Sequence, residues 1–203
     1  MKRSYKLAFF AILIILSFLL WGCGDGPGIP GSCGTEDTGI DVRLSNVSHS
    51  DPSGDQGDLW QIDLFMSDCE GQPEPWGDDH LNVSFAGIPI YAPLPSNTLF
   101  ITHYRVTYTP LSPGYPPIDE IQGGAQGSIG IVPEAVIGPF PFLILDFGRK
   151  FKLQDVISRG VYPADYPLLY DMTVEWWGQD MYGNDFCVGP LIRVIEIGPY
   201  DKC

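Results

Sequence analysis

The chain has 203 residues, of which 44% are hydrophobic, 13% aromatic and 18% charged. This composition excludes an intrinsically disordered protein, which has few aromatic residues and low hydrophobicity. The formal net charge of −14 makes nucleic-acid binding unfavourable, because phosphates repel an acidic surface. The 24 glycines and 19 prolines, which separate short β-type runs, indicate a domain with many turns.

An export signal is predicted at the N-terminus. Three basic residues stand among the first six positions, and an almost wholly apolar run follows from 7 to 20. The run matches the apolar region of a secretory signal, about 7–15 residues long, and is shorter than the roughly 20 residues of a membrane-spanning helix. We therefore expect the folded part of the protein to lie outside the cytosol.

The end of this run resembles the lipobox of bacterial lipoproteins, in which a leucine and two small or neutral residues precede an invariant cysteine. Leu20, Gly22 and Cys23 match that pattern, and Trp21 is bulkier than the usual residue at its position. The resemblance implies that residues 1–22 are removed and that Cys23 carries diacylglycerol and fatty acyl chains such as palmitate, which anchor the protein to a membrane. Two alternatives remain open, an uncleaved N-terminal helix and a secretory signal without lipid.

The chain after the signal divides into a linker and one domain. Residues 23–39 begin at the lipidated cysteine, are rich in glycine and proline, and lack apolar periodicity, which is typical of a flexible linker. Residues 40–203 are long enough for a single domain with its own core. Without residues 1–22 the formal charge is −17, from 8 positive and 25 negative side chains, and such a body is repelled by anionic membrane surfaces. Gly24 stands where aspartate tends to retain lipoproteins of Gram-negative bacteria at the inner membrane, so the resemblance favours the outer membrane, on its periplasmic or surface face.

Four cysteines remain once Cys23 carries lipid, and an even number in an exported domain predicts disulfides. The candidates are Cys33, Cys69, Cys187 and Cys203. Three pairings are possible, and the sequence alone does not choose among them. We favour Cys69–Cys187 with Cys33–Cys203, because the first two lie at the ends of loops and the other two lie near the ends of the chain.

Short segments in which apolar and polar residues alternate predict half-buried β-strands. In chain order they cover 40–45, 60–69, 81–85, 98–109, 127–132, 140–147, 170–179 and 186–197. One short helix is predicted over 149–159, with Phe151, Val156 and Ile157 facing inward. Seven or eight short strands separated by turns favour an all-β fold, an antiparallel β-sandwich.

Two segments resemble parts of fibronectin type III domains. The sequence ITHYRVTYTP at 101–110 resembles strand C, and VEWWGQDMYGNDFC at 174–187 resembles the final F–G strand pair. The resemblance implies an immunoglobulin-like or fibronectin type III-like domain of a bacterial envelope protein. Met172 stands where an antibody-type cysteine would be expected, and Tyr170 is the candidate for a tyrosine corner.

Acidic residues near the predicted loops are candidate calcium ligands. They are Asp68, Glu70, Asp78, Asp79, Asp180 and Asp185. In the assumed sandwich, the loop after the second strand and the final hairpin lie at one end, where several carboxylates would approach the six to eight oxygens that calcium takes. The alternative is a set of solvated acidic turns, and no other cofactor is predicted.

Aromatic residues near the same predicted end are candidate binding residues. They are Trp76, Trp177 and Tyr182. Trp176 and Trp177 are adjacent on one strand and must point to opposite faces, so one of them is expected to be exposed. An exposed tryptophan stacks on a sugar ring or anchors a protein partner. Packing at the rim of the core is the alternative.

No catalytic site is predicted. The sequence QGSIG at 126–130 has glutamine where a nucleophile elbow has its first glycine, so we interpret it as a turn entering a strand. The sequence therefore favours a binding or scaffolding module of the cell envelope, held by lipid and accessory to an envelope or surface assembly whose proteins are its partners. The alternatives are a calcium- or carbohydrate-dependent adhesion module and, less favoured, a hydrolase using Ser128 or His80.

Overall fold

The computed structural model describes residues 38–50, 56–57, 60–65, 68–69, 72–73, 76–91, 97–163 and 165–200. At 56–57, 68–69, 72–73 and 126 it describes the backbone and not the side chain. The predicted signal, the lipidation site Cys23 and nearly all of the predicted linker lie outside these ranges. Within them, no helix is long and apolar enough to cross a membrane.

Eleven described strands and one described helix make up the fold. Their bounds are β1 Ile40–Ser50, β2 Gln56–Gly57, β3 Gln61–Asp63, β4 Asp68–Cys69, β5 Gln72–Pro73, β6 Asp79–Pro89, β7 Leu99–Pro110, β8 Ile121–Ile131, β9 Val136–Leu145, α1 Phe147–Ser158, β10 Leu168–Asp180 and β11 Asp185–Gly198. A four-stranded sheet has the order β2-β1-β6-β9, and a five-stranded sheet has the order β3-β11-β10-β7-β8. Strands β4 and β5 pair only with each other among the described strands.

The core lies between the two larger sheets. Along β10 the inward side chains alternate with half-buried or exposed ones, and Leu168, Tyr170, Met172, Val174 and Trp176 are all inaccessible to solvent. Trp176 packs edge-on against Phe85 of the facing sheet, with 5.6 Å between ring centroids. This period-two burial is the physical reason that the alternating sequence forms strands.

One end of the sandwich, the hairpin end, contains the turn between β10 and β11. Strand β1 begins there and β6 finishes there, with Ile40 opposite Pro89. Asn97 joins the two sheets at this end, because its amide Nδ2 donates to the Thr38 carbonyl at 2.8 Å and to Asp180 Oδ2 at 3.0 Å. The described part of the chain therefore starts at the hairpin end.

The opposite end, the helix end, contains α1. Strand β6 begins there with Asp79 opposite Leu145, the last residue of β9. Strand β3 also lies at this end, because Ile62 pairs in parallel with Ile197 near the end of β11.

Helix α1 begins after Asp146, whose Oδ1 accepts a hydrogen bond from the backbone N–H of Arg149 at 2.7 Å. This cap satisfies one of the free N–H groups of the first turn. The side chains that α1 buries are Lys150, Leu153 and Ile157. The prediction that Phe151 faces inward is wrong: its side chain is 58% exposed, and the neighbouring lysine takes the inward position.

Strands β7 and β10 approach very closely at Gly178. The register shifts between Trp177 and Gly178, and a Cβ atom added to Gly178 would lie 1.8 Å from the carbonyl oxygen of Phe100. Only glycine fits between the two backbones at this point.

The all-β class and the packing of two sheets are confirmed. The predicted strand over 60–69 is interrupted, since β3 ends at Asp63 and β4 starts at Asp68. Tyr170 does not make a tyrosine corner of the predicted kind: its hydroxyl donates to the Pro116 carbonyl at 2.7 Å, which is 54 residues upstream and not a few.

Candidate functional site

The acidic candidates are divided between the two ends of the sandwich. Asp78 and Asp79 lie at the helix end, and Asp180 and Asp185 flank the turn at the hairpin end. Strand β6 alone takes ten residues to run between the ends, which is roughly 33 Å at about 3.3 Å per residue. The side chains of Asp68 and Glu70 lie outside the described residues. The described candidates therefore do not form the single acidic end that the sequence suggested, because their strands begin and finish at opposite ends.

Asp180 organises the turn between β10 and β11. Its oxygens accept hydrogen bonds from the side chains of Asn97 and Asn184, at 3.0 and 2.8 Å, and from the backbone N–H groups of Tyr182 and Asn184, both at 2.8 Å. Burial alone would raise the pKa of the Asp180 carboxyl, but these donors outweigh burial and hold the pKa below its ordinary value. Asp180 is thus an acceptor that fixes the turn. Across the part of the chain that the structure describes, no group of three or more histidine, cysteine or acidic residues could hold a metal ion.

Asp79 belongs to a buried charged network at the helix end. Lys150 Nζ lies 2.5 Å from Asp79 Oδ2, and both side chains are inaccessible to solvent. His49 Nε2 lies 3.0 Å from Asp79 Oδ1 and is also buried. Trp60 stacks on the His49 ring at 6.1 Å, and the Lys150 ammonium lies 5.9 Å from the centre of the Trp76 ring.

This network joins three elements, since His49 is in β1, Asp79 in β6 and Lys150 in α1. Its members face one another and not the solvent, so the arrangement is suited to fixing the helix on the sheet. This network was not predicted from the sequence. The spacing of Lys150, Leu153 and Ile157 could have predicted the buried lysine, because residues three and seven positions apart lie on one face of a helix.

The aromatic candidates do not form one surface. Trp76 lies at the helix end, where its Nε1 donates to the Asp63 carbonyl at 3.3 Å. Trp177 is half-buried on the outer face of the five-stranded sheet, stacked on His103 at 6.2 Å with Arg105 over its ring. Tyr182 is at the hairpin end and is 67% exposed. Of the three, only Tyr182 presents most of its surface to solvent.

Two open clefts of about 200 Å³ each lie elsewhere on the domain, and none of the aromatic candidates lines them. The first lies between α1 and the loop at 116–119, where Arg149 Nε donates to the Asp119 carbonyl at 3.0 Å. The second lies between β8 and β9, and His80 lines it, whereas the exposed Ser128 does not. The geometry therefore does not join the two hydrolase candidates.

An exposed apolar surface covers the hairpin end. It consists of Ile88, Ile90, Tyr91, Val132, Val136, Met181 and Tyr182, with exposures from 38% to 67%. Gly87 bridges to Pro133, which joins the first two of the three segments of this surface. The Met181 N–H donates to the Thr98 carbonyl at 2.9 Å, and Leu99, which follows Thr98, pairs with Ile131 next to Val132. We call these seven side chains the apolar end surface. Of these seven residues, only Tyr182 was a candidate from the sequence.

The cysteine candidates are described in part. Cys33 and Cys203 lie outside the described residues, and Cys69 is described by its backbone in β4. Cys187 lies opposite Trp177 on the outer face of β11 and is disulfide-bonded. The side chain of its partner cysteine lies outside the described residues, so the pairing favoured from the sequence stays a prediction.

Comparison of the chain with protein-family models, curated proteins and solved structures finds no match.

Proposed function

We propose that this chain is a lipid-anchored cell-envelope protein whose β-sandwich binds or scaffolds a partner protein in the envelope. The anchor is argued from the N-terminal sequence, in which a basic start and an apolar run end at Cys23. Binding is argued from the apolar end surface, which is the single observation that carries this part of the proposal. The resemblance to lipoproteins favours the outer membrane.

The sheet orders support an immunoglobulin-like arrangement of the fibronectin type III kind. If β1, β6 and β9 correspond to strands A, B and E, then β7, β8, β10 and β11 correspond to C, C′, F and G. The two sheets then have the orders A-B-E and G-F-C-C′, with two short strands added at the edges. Domains of this architecture serve many functions, so the fold by itself names no ligand.

The apolar end surface gathers seven exposed apolar side chains at one end of the sandwich. Its seven side chains come from the end of β6 and the two residues after it, from the segment that leads into β9 with the first residue of β9, and from the turn after β10. Contiguous exposed apolar surface of this kind marks interaction sites in soluble proteins. Tyrosine and methionine are well suited to such contacts, because their large flat or flexible side chains adapt to a partner.

The position of this surface supports a partner held at the same membrane. Thr38, at the hairpin end, is the first described residue, and Cys23 precedes it by 15 positions in the chain. A lipid on Cys23 would therefore tether the domain through the chain that enters at its hairpin end. The formal charge of −17 after cleavage disfavours direct seating on anionic lipid, which leaves an apolar patch of an envelope protein as the occupant we propose.

The test is photo-crosslinking in intact cells with paired variants. Val136→Glu with Tyr182→Glu changes two residues of the apolar end surface, which are 66% and 67% exposed. Phe151→Glu with Val161→Glu, at 58% and 63% exposure, is the matched control at the other end. The first double variant should lose the crosslinked protein and the control should keep it. Equal capture by both variants would contradict the binding surface.

The anchor has a separate test. Cells supplied with labelled palmitate should incorporate the label into the wild-type protein and not into Cys23→Ala, because acylation requires the thiol of Cys23. Equal labelling of both proteins, or none in the wild type, rejects the lipid anchor and leaves the binding surface to be judged by the crosslinking experiment.

A further inference from the structure

The distances along the strands decide which cysteine reaches Cys187. Across the β10–β11 pair, Cys187 lies opposite Trp177 and Ile197 lies opposite Leu168. Nine residues of β10 separate these two levels, which is about 30 Å at about 3.3 Å per residue. Cys187 is therefore close to the hairpin end, far from the residues that follow β11.

Cys69 is held at the other end. The backbone N–H of Leu64 donates to the Gly198 carbonyl at 2.9 Å, and Cys69 follows five residues later. Five residues extend at most about 17 Å, and a disulfide joins Cα atoms no more than about 7 Å apart. The reach of the five residues and the width of the disulfide add up to about 24 Å. This is less than the roughly 30 Å between Ile197, at the helix end of the sheet, and Cys187. A bond between Cys69 and Cys187 is out of reach.

The last described residue before Cys203, Tyr200, lies at the helix end as well. The backbone N–H of Tyr200 donates to Asp63 Oδ1 at 3.0 Å, and Cys203 follows three residues later. Its reach from Tyr200 is about 10 Å. Asp63 immediately precedes Leu64, so the segments that carry Cys69 and Cys203 leave the fold from neighbouring points.

The first described residue after Cys33, Thr38, lies at the hairpin end. Cys33 precedes Thr38 by five residues, and Thr38 is joined through Asn97 to Asp180. Cys187 follows Asn184, which also contacts Asp180, by three residues or about 10 Å. Five residues reach roughly 17 Å from Thr38 and a disulfide adds about 7 Å, which makes about 24 Å. This covers the roughly 10 Å from Asn184 to Cys187 and leaves about 14 Å for the contacts through Asn97 and Asp180 that join Thr38 to Asn184.

We infer that disulfides join Cys33 to Cys187 at the hairpin end and Cys69 to Cys203 at the helix end. This pairing replaces the one favoured by the positions of the cysteines in the sequence, and it rests on the export proposed above. Each bond forms when two thiols give up two protons and two electrons to the disulfide of an exported thiol oxidoreductase, which becomes a dithiol. Cys23 remains available for acylation.

The test is peptide mapping of the full-length protein purified from its membrane. Free thiols are alkylated first, and an arginine-specific protease is then used without reductant. Arginines at 43, 105, 159 and 193 place the four cysteines in four different peptides. The expected products join 23–43 to 160–193 and 44–105 to 194–203. A product joining 44–105 to 160–193 overturns the inference while leaving export intact.

Serine variants give an independent readout. Cys33→Ser should leave one alkylated thiol at Cys187 and keep the bond between Cys69 and Cys203. Cys69→Ser, the matched control, should leave Cys203 alkylated and keep the bond of Cys187. Alkylation of all four cysteines in the wild-type protein rejects export itself, which is a different outcome from a different pairing.

Discussion

Tyr170 and Tyr108 each bury a hydroxyl, but their surroundings differ in one contact. The Tyr170 hydroxyl donates to the Pro116 carbonyl, whereas the Tyr108 hydroxyl has no hydrogen-bond partner among the described residues. A buried polar group without a partner loses its contact with water and gains nothing in return. Comparing variants of the two residues therefore measures how much the Tyr170 hydrogen bond contributes to stability.

Tyr170→Phe should lower the free energy of unfolding by about 1–2 kcal/mol, because it removes this bond and leaves a buried carbonyl without its donor. Tyr108→Phe, which removes a hydroxyl that makes no bond, should leave stability unchanged or slightly higher. Urea unfolding followed by tryptophan fluorescence measures both. Equal losses in the two variants would show that ring packing, and not the hydrogen bond, sets the effect.

The sequence made Tyr170 the candidate for a tyrosine corner, and it did not predict the partner that the hydroxyl has. Pro116 lies in the proline-rich loop between β7 and β8, which meets Tyr170 only after the strands are placed. A partner 54 residues away leaves no local pattern from which it could be read.

Helix α1 depends on a contact that is costly to break. Lys150 is buried against Asp79, while Lys152, two residues later in the same helix, pairs with Asp119 at 2.6 Å with both side chains 65% exposed. Removing one partner of a buried pair leaves an uncompensated charge, whereas an exposed pair is screened by water.

Lys150→Met should therefore lower the free energy of unfolding by about 3–5 kcal/mol. Lys152→Met, with the same change in side chain, should have little effect. Urea midpoints and the helical circular dichroism signal report both. Similar midpoints for the two variants would mean that the Lys150–Asp79 pair does not hold the helix.

The elements themselves were largely predictable. Alternation of apolar and polar residues predicted the long strands, and the helix was predicted within two residues of its bounds. The inward face of α1 was not predicted correctly. A lysine and a phenylalanine are adjacent at 150–151, and lysine is seldom buried, so the phenylalanine was expected to face inward. An ion pair with Asp79, distant in sequence, reverses that preference.

At the scale of the whole molecule, the layered fold followed from the sequence and the positions of the loops did not. Which loops share an end depends on the direction of each strand in the sandwich. Each strand runs the length of the sandwich, so one additional strand before a loop moves that loop to the opposite end of the domain. This is why the acidic candidates and the aromatic candidates were grouped incorrectly, and why the apolar end surface was missed. The sequence likewise did not choose among the three cysteine pairings, and the one it favoured stays a prediction.

Buried phenols make the whole molecule sensitive to alkali. Burial raises the pKa of several tyrosines, namely Tyr104, Tyr108, Tyr166, Tyr170 and Tyr200. For Tyr200, burial and the neighbouring Glu196 carboxylate raise the pKa to about 12. In the unfolded chain these phenols ionise near pH 10.

The free energy of unfolding should be independent of these groups below about pH 10 and should fall as the pH rises toward 12, because the unfolded chain releases protons that the folded protein keeps. Urea midpoints at a series of alkaline pH values measure the fall. Tyr200→Phe, which removes one of the phenols, should make it shallower. A midpoint that stays constant over this range would contradict the raised pKa values.

The close approach of two backbones at Gly178 restricts how this protein can diverge. Any side chain at that position would collide with the carbonyl oxygen of Phe100, and the collision involves main chain, which cannot rotate away. Substitutions elsewhere in the two strands can be accommodated by changing a neighbour, but no second change restores room here. Homologues that retain the sandwich are therefore expected to have glycine at the position of Gly178, even where the rest of the sequence has diverged extensively.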